Sequence, residues 1–244
     1  NFSSLKLKIN PTVKTVSGQE LHTSSVVYSW VDKLIKGKES FVRSKTIGKT
    51  KLKRPFVVLD IYKGSPKNKP VLVLLTRQHP PEVTGYFAFQ AFLSTILEEN
   101  KLTASFLEHY RILAFPLMNP DGVDLGHWRH NAGGVDTNRD WSFYHQPEIK
   151  TTVDYITQVL KKNNSRLVLG LDFHSTWYDV FYTNKERKST AFPEFLPKWF
   201  SALEQNIPNY KVNEKSSNSS KPVSKGWFLY GHNAVGVTYE IGDD

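Results

Sequence analysis

Pro70-Val71-Leu72-Val73-Leu74-Leu75-Thr76, followed at once by Arg77-Gln78-His79-Pro80-Pro81-Glu82, decides the fold of this chain. The first half is apolar without polar alternation, the pattern of a strand covered on both faces of a sheet. It is far too short to cross a bilayer. The second half turns abruptly polar. Pro80 and Pro81 stiffen the turn, and proline suits the first position of a helix. Residues 82–99 then read as a long helix, with Phe87, Phe92, Ile96 and Leu97 available for packing.

Outward from this unit, strands and helices continue to alternate. Residues 22–35 read as an amphipathic helix with spaced Val26, Val27, Trp30 and Leu34. Residues 41–47 and 55–62 read as strands around a Lys/Gly-rich turn. Residues 111–117 are a buried strand ending in the turn Asn119-Pro120-Asp121-Gly122. Residues 146–162 and 193–205 read as helices, and residues 166–173, 179–183 and 235–241 as strands. Residues 213–220 are polar and serine-rich, so they read as a surface loop. The expected fold is α/β: a single domain over residues 1–244, with a central, mixed but mostly parallel twisted sheet and helices on both faces.

Composition narrows the function. The chain has 244 residues, 39% hydrophobic and 23% charged, which excludes a disordered tail or a membrane-spanning protein. Cysteine is absent, so thiol catalysis, disulfides and thiolate metal sites are excluded together, and any metal must use His, Asp or Glu. The net charge of +9 invites a nucleic-acid reading. Residues 1–54 carry all of it, with 12 Lys/Arg against 3 Asp/Glu, while the remainder is balanced. That basic stretch holds only Arg43 and Arg54 besides lysines, and lysine is poor at bidentate base recognition. A basic nucleic-acid or surface-binding protein is therefore the competing non-enzyme reading, and no nucleic-acid partner is expected. The chain opens on Asn1 without a signal-peptide pattern, so a leader was removed or the chain trimmed. Absent cysteine suits a bacterial exported or a cytoplasmic location equally.

The unusual polar residues collect where parallel strands end, which is where α/β sheets bind ligands. His79 and Glu82 lie three apart in the strand-to-helix turn and can hold one face of a zinc ion. His174, ending the 166–173 strand, would complete a two-His, one-Glu set with an open position, a known catalytic zinc arrangement. The alternative is a histidine at a helix N-terminus beside a glutamate favoured by the helix dipole. The glycine-rich loop from Asn119 to Trp141 carries Arg129, Asp136, Asn138 and Arg139 beside tryptophans, which points to fixed guanidinium groups and an anion site. Its alternative is a structural loop with internal salt bridges. Glu240 lies in the apolar strand 235–241, where a carboxylate is costly unless paired or functional. Beside a bound water it could act as general base; otherwise it pairs with a surface lysine.

These segments together, His79-x-x-Glu82, Asn119-Pro120-Asp121-Gly122 with Arg129, Asp136-x-Asn138-Arg139, His174-Ser175 and Thr238-Tyr239-Glu240, resemble the zinc metallocarboxypeptidases of the carboxypeptidase A type. The wording of residues 126–134 looks closer to bacterial and cytosolic members. The resemblance implies one zinc ion on His79, Glu82 and His174, with Glu240 as general base and acid. It also implies oxyanion stabilisation by Arg129, and Asn138 and Arg139 on the free C-terminal carboxylate of a peptide substrate. Asp136 would accept a hydrogen bond from a ligand histidine.

The chain departs from the digestive enzymes. Pro80-Pro81 stand where those enzymes carry an Arg between the first His and Glu. The position of their mobile Tyr holds a polar residue of the serine-rich loop here, with Tyr230 as the candidate substitute. Family members continue past the catalytic Glu into a further helix, so the expectation is either a sheet face left uncovered or a truncated C-terminus. An ungapped count from Glu240 puts Lys225 where the family sets side-chain preference, which predicts a preference for acidic C-terminal residues. A deacylase or a cell-wall peptide hydrolase with the same site remains the alternative substrate reading.

Overall fold

The computed structural model describes residues 6, 12, 19–187, 189–218 and 220–243. In chain order the elements are α1 (Ser24–Ile35), β1 (Val42–Lys49), β2 (Pro55–Ile61), β3 (Val71–Thr76), α2 (Val83–Ile96), α3 (Lys101–His109), β4 (Arg111–Phe115), α4 (Pro120–Leu125), α5 (Pro147–Asn163), β5 (Leu167–Thr176), β6 (Val180–Thr183), α6 (Phe195–Asn206), β7 (Glu214–Ser216), α7 (Ser224–His232) and β8 (Val235–Gly242). A 3-10 turn, Thr137–Arg139, interrupts the glycine-rich loop.

The strands form one mixed sheet in the order β1-β2-β4-β3-β5-β8-β6-β7. Its centre, β4-β3-β5-β8, is parallel, as the unbroken apolar runs require. The β1-β2-β4 edge and the β6-β8 pair are antiparallel. Strand periodicity separates two apolar layers. Leu72 and Leu74 face a layer shared with α1, α2 and α6 through Val27, Tyr86, Phe89 and Phe200. Val71, Val73 and Leu75 face the other, shared with α5 and α7 through Ile149, Ile156 and Phe228. Each such side chain contributes about 1.5–3 kcal/mol when fully buried, so the sheet is fixed from both sides.

Buried charge ties the basic edge to this frame. Arg111 of β4 grips Asp60 of β2 in a two-point pair, Nε to Oδ1 at 2.7 Å and Nη2 to Oδ2 at 2.8 Å. Lys45 of β1 joins the same carboxylate at 2.7 Å. Asp121, at the start of α4, is fully buried and accepts from Thr50, Leu52 and Arg54 in the β1-β2 turn.

Five local readings differ from expectation. The predicted helix 82–99 stops at Ile96, and Asn100 starts a new one, α3, through a capping box with Thr103. Along α2 the sheet-facing residues are Tyr86, Phe89 and Leu93, while Phe87 is exposed. Asn119-Pro120-Asp121-Gly122 begins a short helix rather than a turn: Asn119 caps it by accepting from the Gly122 N–H, and Pro120 occupies its first position. The segment before β8 forms α7, and the serine-rich loop contains β7. Among the described residues no helix is long and apolar enough to cross a membrane.

Candidate metal centre

β3 ends at Thr76, and Arg77 reverses the chain with a left-handed backbone (φ 57°). Its buried guanidinium holds the Pro80 carbonyl from Nε and Nη2, fixing the turn that carries His79 and Glu82. Glu82 occupies the N-cap position of α2, yet its side chain caps nothing. It turns inward instead.

There the carboxylate meets both imidazoles. Nδ1 of His79 lies 2.6 Å from Oε1 of Glu82, and Nδ1 of His174 lies 2.7 Å from Oε2. The two rings are 4.9 Å apart between centroids. His174 reaches this point because β5 runs beside β3 and α2 approaches β5 closely at Gly85. Each outward nitrogen faces a second carboxylate: Nε2 of His79 is 3.0 Å from Oδ1 of Asp136, and Nε2 of His174 is 2.9 Å from Oδ2 of Asp172. A carboxylate only accepts, so both nitrogens of each ring face acceptors here; a metal taking the place of the Nδ1 protons would leave each Nε2 proton on its outer carboxylate.

The charges respond accordingly. Burial opposes protonation of His174, but Asp172 and Glu82 hold its pKa well above the ordinary value. Burial would raise the Glu82 carboxyl, yet His174 and His79 hold it well below the usual range. Burial likewise opposes ionisation of Asp136, and His79 and Arg129 overcome it. The donor set suits a divalent metal of borderline softness. Two imidazoles and one carboxylate offer ligand atoms within 4.8 Å of one another, and the backing carboxylates orient the rings.

The remaining predicted residues fall at different distances from this cluster. Asp136 joins it through His79 and also accepts from Nε of Arg129 at 2.7 Å. Arg139 donates to the Asn138 carbonyl and leaves its side chain partly exposed. Asn138 is buried: its Oδ1 accepts from the Ser224 N–H, and its amide nitrogen lies 3.5 Å from Nε2 of His174. Glu240 is the register partner of His174 across the β5-β8 pairing. Burial pushes its carboxyl up to about 7, with the charge of His174 opposing.

Lys225 lies on the first turn of α7. Its buried amine donates to the carbonyls of Thr183 and Ser217, and burial pulls its pKa down to about 8. Tyr230 is exposed and lines a groove of about 330 Å³ with Trp141, Tyr144 and Trp227. No hydrogen bond joins Lys225 or Tyr230 to the His–Glu cluster among the described residues.

Three participants were not anticipated: Asp172, Gln78 and Ser224. Gln78 donates to Asp172 and accepts from Nε1 of Trp141, and its carbonyl accepts from Asn119 and Thr137. Asp172 carried a legible signal, a lone carboxylate inside the apolar strand 166–173. Gln78 and Ser224 had none, because their partners are set by tertiary approach.

A family model described as zinc carboxypeptidase matches residues 27–244. Among curated proteins, the chain is 25% identical to cytosolic carboxypeptidase 6 of Mus musculus over 185 residues, covering 68% of this chain and 34% of that protein. It is 24% identical to the Caenorhabditis elegans protein of the same name over 202 residues, covering 76% and 43%. The chain thus spans less than half the length of either relative. Among solved structures, a metallo-carboxypeptidase from Burkholderia cenocepacia is similar at TM-score 0.75 and 17% identity, covering 90% of this chain and 60% of that one. A metallo-carboxypeptidase from Pseudomonas aeruginosa in complex with (2-guanidinoethylmercapto)succinic acid gives TM-score 0.69 and 18% identity, with the same coverage. At such identities the structural likeness speaks for the fold.

Proposed function

Because the chain belongs to the zinc carboxypeptidase family, we propose that it is a zinc-dependent metallocarboxypeptidase, removing the C-terminal residue of peptides, with residues 1–244 acting as one catalytic domain. The observation that carries the reading is the convergence of both Nδ1 atoms on Glu82, at 2.6 and 2.7 Å, with Glu240 paired in register to His174.

His79, Glu82 and His174 would hold the ion. Bound there, zinc would polarise the scissile carbonyl and lower the pKa of a water. Glu240 takes the proton of the attacking water and delivers it to the departing amine; a carboxyl raised to about 7 by burial is matched to both tasks. Arg129, oriented by Asp136, stabilises the oxyanion of the tetrahedral intermediate. Asn138 and Arg139 hold the substrate's terminal carboxylate. Arg139 suits this role because its guanidinium is anchored through Nη1 and partly exposed, and guanidinium binds carboxylate with two parallel bonds.

An acidic preference is the finer part of the proposal and rests on Lys225. Its amine is buried on two backbone carbonyls, and among the described residues no carboxylate pairs with it. A substrate Glu or Asp side chain would supply the missing counter-charge. Tyr230 is proposed as the mobile hydroxyl that closes over the substrate.

Mass analysis of peptides after incubation with the zinc-loaded protein tests the reaction. Loss of a single C-terminal residue is expected. Cleavage confined to N-acyl amino acids, or to peptide stems ending in D-residues, would move the substrate to the deacylase or cell-wall class with the same site.

A further inference from the structure

Asp172 stands two residues before His174 on β5, so both side chains leave the same face of the strand. It is fully buried. A single oxygen, Oδ2, takes three contacts: Nε2 of His174 at 2.9 Å, Nε2 of Gln78 at 2.6 Å and the hydroxyl of Ser224. The other oxygen, Oδ1, has no hydrogen-bond partner among the described residues. Taking a carboxylate out of water is expensive unless its partners are closely set. A strand interior would be better served by an apolar residue, so the charge must be kept for what it holds.

Resting on the reading of His174 as a metal ligand, we infer that Asp172 is a positioning residue for the metal centre, the counterpart on His174 of Asp136 on His79. Its three partners come from three parts of the site. Gln78 adjoins His79 and is itself fixed by Trp141. His174 is the ligand from the neighbouring strand. Ser224 opens α7, and its backbone N–H holds Asn138 of the loop that carries Arg139. Asp172 therefore sets the ring of His174, keeping a proton on Nε2 so that Nδ1 is the nitrogen left to present its lone pair to a bound metal. It also locks that ring to the first ligand turn and to the loop assigned to the substrate carboxylate. Partners of this kind typically change metal affinity 10–100-fold when removed.

The test uses the full chain labelled with 15N-histidine, zinc-loaded for NMR and titrated with zinc against a competing chelator. In the unaltered protein, His174 is expected to be protonated at Nε2, with that proton shifted far downfield by the carboxylate. Asp172→Asn, which preserves shape but removes the charge, is expected to bind zinc about 10–100-fold more weakly. Ser224→Ala keeps the Asp172–His174 pair and should change zinc affinity only a few-fold. An Asp172→Asn affinity within twofold of the unaltered protein would overturn the inference, as would a His174 ring unprotonated at Nε2. If Asp172→Asn does not fold, the NMR state of His174 in the unaltered protein decides alone. Failure of the unaltered protein to bind zinc would instead overturn the functional reading beneath it.

Discussion

Gly85 of α2 lies directly against the carbonyl of His174: a Cβ at that position would sit 2.4 Å from the oxygen. The Gly85 N–H also donates to the hydroxyl of Ser175 at 2.7 Å. The helix that begins with Glu82 is thereby seated on the strand that presents His174. The close approach, rather than backbone conformation, is what requires glycine here.

Gly85→Ala should consequently loosen the centre while altering none of the ligand residues themselves. Overpacking of this kind costs about 1–3 kcal/mol, and equilibrium unfolding in urea would measure it. Zinc affinity should fall alongside, because α2 must move away from β5. A variant as stable and as tightly metallated as the unaltered chain would show that this contact does not seat the helix.

Asp60 makes a separate, pH-dependent contribution at the sheet edge. Burial opposes its ionisation, but Arg111 and Lys45 hold its pKa below the ordinary carboxylate value. A depressed folded pKa gives stability that is present above the unfolded value, about 3.9, and lost as pH falls through the folded one. Asp60→Ala should cost about 3–5 kcal/mol near neutrality, since it leaves Arg111 buried and unpaired. Stability curves of the two proteins should converge only in the acid range, below pH of about 4. Parallel curves across that range would remove the pair from the account.

Arg139 is assigned to the terminal carboxylate of the substrate. A charge-assisted hydrogen bond is worth about 1.5–3 kcal/mol, so Arg139→Ala should lower kcat/KM roughly 10- to 150-fold. Amidating the substrate C-terminus should impose a comparable loss on the unaltered protein and add little to the variant. Additive losses would place the carboxylate elsewhere.

Lys225 offers a cleaner test of side-chain preference, because its amine is held by the Thr183 and Ser217 carbonyls rather than by the His–Glu cluster. With peptides ending in Glu, Leu and Lys, the unaltered protein should favour Glu, and Lys225→Met should lose about tenfold or more on Glu alone, the worth of one charge-assisted bond. Equal rates on the three peptides, or a preference for Lys, would contradict the acidic specificity.

The central strands and the ligand turn were legible because their signals are local. Val71 to Leu75 needs no partner to read as a doubly covered strand, and His79 and Glu82 are spaced by the turn itself. α3 was missed because the helix reading ended at residue 99 and left residues 100–110 unassigned, while the reciprocal bonds of Asn100 and Thr103 that start the new helix show only in the fold. α7 was missed for another reason. It buries Phe228 and Leu229 while leaving Tyr230 and Gly231 exposed, a short span set by Phe228 packing over Gly170 of β5. Asp172 illustrates the limit for the site. Its position in an apolar strand announces a buried charge, but its partners lie 94 and 52 residues away at Gln78 and Ser224, distances that no local pattern encodes.

The most direct measurement is a zinc titration of chelator-stripped protein, with release of the C-terminal residue and bound metal followed together, for the unaltered chain and for Glu240→Gln. The account predicts that activity returns in proportion to zinc up to one ion per chain, and that Glu240→Gln binds the ion equally but stays inert. Activity that survives chelation, or a fully active Glu240→Gln protein, would contradict it.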